Sequence, residues 1–327
     1  MKKIITLLVG MLLAVPLAQA QTETGSSAGQ QALDEARSGA ISAGRTTTEN
    51  VSVAAGQVGS KEVVVVEEDE KWWSINASTG WDSLYMYRGY NVLGNGNGLY
   101  WMAVGLGVVP WENGSLNANF WYGVGSWWNG ANTQMRYGEI NTTVSYTHSF
   151  GNLDLTAGWI YYYYPNQRYP QSVSGPGNSQ NEIFFAAAYD IEVGSITITP
   201  NTAYYYNVGP EIGSYGGIAN GGSSFWNLGL SAEIPIAYDG AVALAPYTQF
   251  GINFGYNTRV VGTPRFNGGN NWQTGIAMPI QFTSWFSVSP YIAYSYQWQN
   301  MGSGLGTGTG RTAINTWWGG ISANFSY

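Results

Sequence analysis

Cysteine is absent from all 327 residues. That removes disulfides, thiolate catalysis and cysteine-type zinc sites. Charge is scarce as well: Asp, Glu, Lys and Arg make up 9% of the chain, against about 25% in an ordinary soluble domain. From Trp72 to Tyr327 there are only ten acids and six arginines, too few to cover a soluble globule. Beyond the N-terminus no apolar run reaches the roughly 18 residues of a spanning helix, which excludes a helical bundle. Mean hydropathy is only −0.13. A net charge of −7 argues against nucleic acid as a partner.

What remains is glycine and aromatics, with 45 Gly, 15 Trp and 24 Tyr. A chain low in charge, rich in rings and only half apolar fits one membrane architecture. In a spanning β-barrel alternate residues face lipid and lumen, so apolar and polar counts balance.

Residues 1–20 read as a secretory signal peptide, with Lys2 and Lys3, the apolar stretch Ile4 to Leu17, and Ala18-Gln19-Ala20 as the cleavage tripeptide. Residues 21–71 are far denser in charge, with 13 charged side chains including Glu67-Glu68-Asp69-Glu70, and hold no aromatic residue. Such a composition cannot bury enough apolar surface to fold alone. It predicts a flexible periplasmic extension, with insertion into the lumen as a plug the other option. Residues 72–327 form the barrel.

From Ser74 onward the hydrophobic period is two. Leu153, Leu155, Ala157, Trp159, Tyr161 and Tyr163 share one face; Asp154, Thr156, Gly158 and Tyr162 share the other. Val242 to Phe254 and Phe286 to Tyr296 read alike. The pattern predicts an all-β fold, a transmembrane antiparallel up-and-down β-barrel of about 12 strands: 74–90, 99–109, 116–128, 136–147, 153–164, 182–190, 195–206, 223–235, 241–255, 272–282, 286–298 and 312–327. An even count puts both ends on the periplasmic side. Every second connection is short (Pro110–Ser115, Ser149–Asn152, Ile191–Gly194, Ile236–Gly240, Thr283–Trp285), and the others are longer on average and rich in Gly, Asn and Ser.

Aromatic residues collect at strand ends, as two interfacial belts require. Tyr161 to Tyr164, Tyr204 to Tyr206, Phe225-Trp226 and Trp272 fall at the outer ends; Trp72-Trp73, Trp111, Trp285-Phe286, Phe325 and Tyr327 fall at the periplasmic ends. The alternating strand that closes on Phe325 and Tyr327 resembles the signal read by outer-membrane assembly machinery. Ser322 stands where that pattern has glycine.

Taken together these features resemble a bacterial outer-membrane barrel of porin type. More narrowly, Ser83-Leu84-Tyr85-Met86-Tyr87-Arg88-Gly89 resembles the opening strand of an uncharacterised outer-membrane family, the TorF-like (Gcw-type) proteins. Neither resemblance supplies a catalytic residue.

Chemistry is poorly provided for. The one histidine, His148, is placed at a short periplasmic turn, and its neighbour Ser149 would point to the opposite face. The barrel acids are scattered, so neither a glycosidase pair nor a cluster for calcium or zinc stands out. The Gly302–Gly310 run lacks the lysine of a phosphate loop. The chain is therefore expected to be neither an enzyme nor a cofactor carrier.

The polar face should line the lumen, through Asn119, Asn141, Thr143, Asn201, Gln249 and Asn253 among others. Its small residues favour a narrow water-filled pore over a solid post. All six barrel arginines, Arg88, Arg136, Arg168, Arg259, Arg265 and Arg311, map to outer ends or loops. There they would either contact lipopolysaccharide phosphates or set a field at the mouth that gathers anionic or polar solutes. The expected partners are outer-membrane lipids and lipopolysaccharide, the assembly machinery and small hydrophilic solutes. The expected function is passive diffusion of such solutes across the outer membrane. The other reading is a non-conducting structural or adhesion barrel whose loops and tail bind partners.

Overall fold

The computed structural model describes residues 72–93, 97–111, 113–125, 137–165, 179–209, 222–237, 240–258, 265–297 and 315–327. Sixteen strands run along them: β1 Trp73–Asp82, β2 Met86–Tyr87, β3 Tyr90–Asn91, β4 Leu99–Trp111, β5 Gly114–Gly125, β6 Gly138–Phe150, β7 Leu153–Tyr163, β8 Ser179–Tyr189, β9 Ile191–Val193, β10 Ile196–Asn207, β11 Ser224–Ala237, β12 Val242–Thr258, β13 Arg265–Ala277, β14 Ile280–Thr283, β15 Phe286–Gln297 and β16 Asn315–Ser326. β9 continues the line of β8 past Asp190, and β14 continues β13 past Met278 and Pro279. With β2 and β3 set aside, that leaves twelve antiparallel staves, each bonded to its sequence neighbours.

β1 pairs β16 from Asn76↔Ser326 to Asp82↔Gly320, and this seam closes the barrel. Closure matters physically, because an open edge in hydrocarbon would leave a row of unpaired amides. The short turns lie at the end where the chain enters at Trp72 and finishes at Tyr327. Four of the five carry a residue in the left-handed region: Asn113, Gly151, Gly194 and Gly240.

The two faces differ as the alternation requires. Leu155, Trp159 and Tyr163 on β7 are exposed, while Thr156 and Tyr162 are buried. Ile292 and Ser295 on β15 split in the same way, as do Phe254 and Asn253 on β12. Two outward indoles satisfy their N–H groups on the neighbouring strand. Trp226 Nε1 donates to Thr202 Oγ1 at 2.6 Å, and Trp272 Nε1 donates to Thr248 Oγ1 at 2.7 Å. In lipid an unpaired N–H has no other remedy. At the periplasmic end Phe325 stacks on Trp285 and lies 5.0 Å from the Phe286 ring, and Tyr327 lies 5.8 Å from Trp73.

Two expectations need correction. The first strand does not run to residue 90; it stops at Asp82, and the chain then turns inward. The tyrosine and phenylalanine runs at the outer ends are only half belt. Tyr204, Tyr206 and Trp226 face out, but Tyr162, Tyr164, Tyr205 and Phe225 are buried on the lumen side. There they pack with Trp101, Trp121, Phe184 and Tyr256 into an apolar core inside the barrel.

Candidate functional site: a hairpin across the lumen

The segment after Asp82 makes the small hairpin β2–β3. Ser83 is anchored on β16 by its N–H to the Gly319 carbonyl at 2.8 Å, with the Gly319 N–H returning to Ser83 Oγ at 3.1 Å. Tyr87 then pairs Tyr90 across Arg88 and Gly89, whose φ values are 46° and 77°. Two successive left-handed residues define the type I′ turn, the two-residue connection whose twist suits a hairpin. Glycine is required at the second position for space as well as for φ. A Cβ there would lie 2.2 Å from Asn271 Cγ.

The hairpin crosses the whole bore. Counting staves from β1, β10 is the seventh of twelve, six staves away in either direction, and so stands opposite; the Arg88 guanidinium lies 3.9 Å from the ring centroid of Tyr205 on β10. The five residue steps from Ser83 to Arg88 span roughly 17 Å when extended, and the long arginine side chain adds the rest. On one side Tyr85 stacks on Trp121 of β5 and donates to Glu139 Oε2 of β6 at 2.9 Å. On the other side Leu84 and Met86 pack with Ala293 of β15 and Trp318 of β16. The Arg88 carbonyl accepts from Asn270 Nδ2 of β13 at 2.7 Å. Every sector of the wall is touched.

At the tip lies the strongest single contact. Arg88 makes a bidentate ion pair with Glu182 on β8, Nη1 to Oε1 at 2.9 Å and Nη2 to Oε2 at 2.6 Å. Both side chains are almost wholly buried. Glu182 also accepts from Gln180 Nε2 at 2.8 Å, from the Tyr162 hydroxyl at 3.0 Å and from the Tyr256 hydroxyl. Such complete satisfaction is what lets a charge pair survive burial. The rings of Tyr256, Tyr87 and Phe225 lie 4.5, 4.8 and 5.7 Å from the guanidinium carbon. The Tyr87 hydroxyl shares hydrogen bonds with Tyr256 and Tyr162 at 2.8 and 3.2 Å.

Below the hairpin the bore changes character. Ser74, Asn76, Asn117, Asn119, Asn201 and Ser231 lie on the inward register yet keep part of their surface accessible. The periplasmic half is thus a polar vestibule, and the outer half is filled. Asp154, Asp190, Glu192 and Glu233 stand near the vestibule mouth, Asp190 accepting from Thr199 at 2.6 Å.

Asn141, Thr143, Gln249 and Asn253 are buried on the lumen face, with Asn119 and Asn201 lower down it. Arg88 is not at the rim: it lies inside the barrel with Glu182. Arg265 opens β13 at the outer end. Arg136, Arg168, Arg259 and Arg311 lie outside the described residues, as does the 21–71 extension. His148 lies within β6 rather than in the turn; its Nδ1 is 2.9 Å from the Tyr146 hydroxyl and its ring 4.5 Å from Phe150. Sequence reasoning missed the hairpin and its acceptor Glu182. The signal was available in the first predicted strand, too long for one crossing, and in Arg88-Gly89.

No family model matches the sequence, and no curated protein matches it. Among solved structures the chain is similar to an outer membrane channel from Pseudomonas putida F1, at 10% identity and TM-score 0.52, over 82% of this chain and 100% of that one. The translocator domain of the autotransporter NalP from Neisseria meningitidis is 13% identical at TM-score 0.45, over 79% of this chain and 90% of the other. The NanC porin is 12% identical at TM-score 0.44, over 77% and 98%. The fold is that of the outer-membrane β-barrels. With its apolar exterior and two aromatic bands, this barrel belongs in the outer membrane of a Gram-negative-type cell. A fold of this kind carries no function by itself. The TorF-like resemblance rests on 83–89 alone, and those residues form the inward hairpin rather than a strand of the wall.

Proposed function

We propose that this chain is an outer-membrane channel for small hydrophilic solutes, with the hairpin of residues 84–93 as its constriction. One observation carries the reading: the inward residues of the periplasmic half are polar and partly accessible, and among the described residues the bore above them is closed by one hairpin packed against inward rings of the wall. A barrel meant only as a post would have its whole bore packed with side chains. Here, among the described residues, only the outer half is filled, by the segment that leaves the wall after Asp82 and the inward rings of the wall it packs against. Rim arginines and acyl-chain contacts on the outer face remain part of this proposal, as does recognition of Phe325 and Tyr327 during assembly.

A second reading has its own support. The hairpin spans the full diameter and buries aromatic side chains, as a permanently closed scaffold would. Conductance decides between them. Replacing residues 84–93 with a short Gly-Ser connection should raise single-channel conductance and admit small sugars into swelling liposomes. Closed behaviour in both the native chain and the deletion would establish the scaffold instead.

A further inference from the structure

The Arg88 guanidinium is held as a bound ligand is held. Its receptor belongs almost entirely to the wall: Glu182 of β8 supplies both oxygens, and Tyr205, Tyr256 and Phe225 of β10, β12 and β11 supply ring faces within 6 Å. Tyr162 of β7 and Gln180 of β8 fix the carboxylate from behind. A planar fork between ring faces and against a two-oxygen acceptor suits a guanidinium. It suits a metal ion poorly, since hard cations require six or more oxygen ligands, and no acidic cluster able to hold a metal exists among the described residues.

The charge around the pocket points the same way. Buried on the lumen side are three carboxylates, Asp82, Glu139 and Glu182, and with them the cation Arg88. Asp154, Asp190, Glu192 and Glu233 continue the negative sign into the vestibule. Rings of acids select for cations.

We propose that the wall pocket of Glu182, Tyr162, Tyr205, Phe225 and Tyr256 is a recognition site for guanidinium-type organic cations, occupied in cis by Arg88. An incoming guanidinium solute takes the place of Arg88, which frees the hairpin to leave the bore. A ligand that binds only the displaced state must shift the population toward it. The binding half of this proposal stands on the pocket geometry; the opening half rests on the channel reading above.

The test uses the full chain refolded in detergent micelles. Arg88→Ala removes the internal ligand and leaves the pocket intact, so L-arginine amide should bind this variant at least ten-fold more tightly than the native chain by calorimetry, at fixed ionic strength. Sodium and tetramethylammonium should give no such heat, and adding Glu182→Gln should abolish the binding. A folded Arg88→Ala barrel, verified by its heat-dependent gel shift, that binds no arginine amide overturns the proposal; so does binding that survives Glu182→Gln. Should Arg88→Ala fail to assemble, the native barrel carrying Ser231→Cys gives the second readout. Arginine amide added outside should speed outside labelling of that vestibule thiol at least three-fold, and an unchanged rate overturns the proposal. Binding without any conductance retires the channel reading and leaves the pocket standing.

Discussion

Removing the Arg88 side chain would strand the Glu182 carboxylate, which is buried and wholly committed to donors. Losing one partner of such a pair costs about 3–5 kcal/mol, a large part of what holds the hairpin in the bore. Arg88→Ala should therefore give larger and more frequent openings in bilayer recordings, and traces like the native ones would contradict the Arg88–Glu182 pair as what holds the hairpin in the bore. Arg88→Lys keeps the charge but loses the bidentate fork, so its openings should fall between the two. Gly89→Ala acts through the backbone. A left-handed φ costs an L-residue about 1–2 kcal/mol, and the new Cβ would collide with Asn271; more frequent openings than native are expected, without loss of the barrel's gel shift. At this scale the sequence was least informative. Arg88 sits near the end of a predicted strand, as a rim arginine would, and nothing local names an acceptor 94 residues away. The inward polar set was readable because parity alone assigns it.

At the scale of strands, parity is the main content. Neighbouring residues on one strand should live in different solvents, and single spin labels on β7 test this. A label at Leu155 should relax faster with dissolved oxygen, which concentrates in acyl chains, and one at Thr156 should not. Equal oxygen response at both positions would remove the membrane-facing assignment. Most strand boundaries were legible to within a few residues because turn chemistry and period-two alternation agree; the exceptions are the end of β1 and the start of β13, at Arg265 rather than 272. The hairpin was hidden for the same reason. Leu84 and Met86 face one way and Tyr85 and Tyr87 the other, so the alternation passes Asp82 without a break although the chain has left the wall. The doubled aromatics offered a clue. A belt needs only the outward residue of each pair, so Tyr162, Tyr205 and Phe225 required an apolar partner inside.

For the molecule as a whole, the consequence is a bore in two parts: an acidic vestibule at the periplasmic end and an outer half in which ten hairpin residues pack against the rings of the wall. The native chain has no cysteine, so one introduced thiol reports its surroundings without background. Ser231→Cys lies on the inward register of β11, in the vestibule below the hairpin. In oriented proteoliposomes a small charged maleimide should label it readily from the periplasmic side and very slowly from the outer side. Deleting residues 84–93 should make the two rates equal. Fast labelling from the outer side with the hairpin intact would contradict the closed bore.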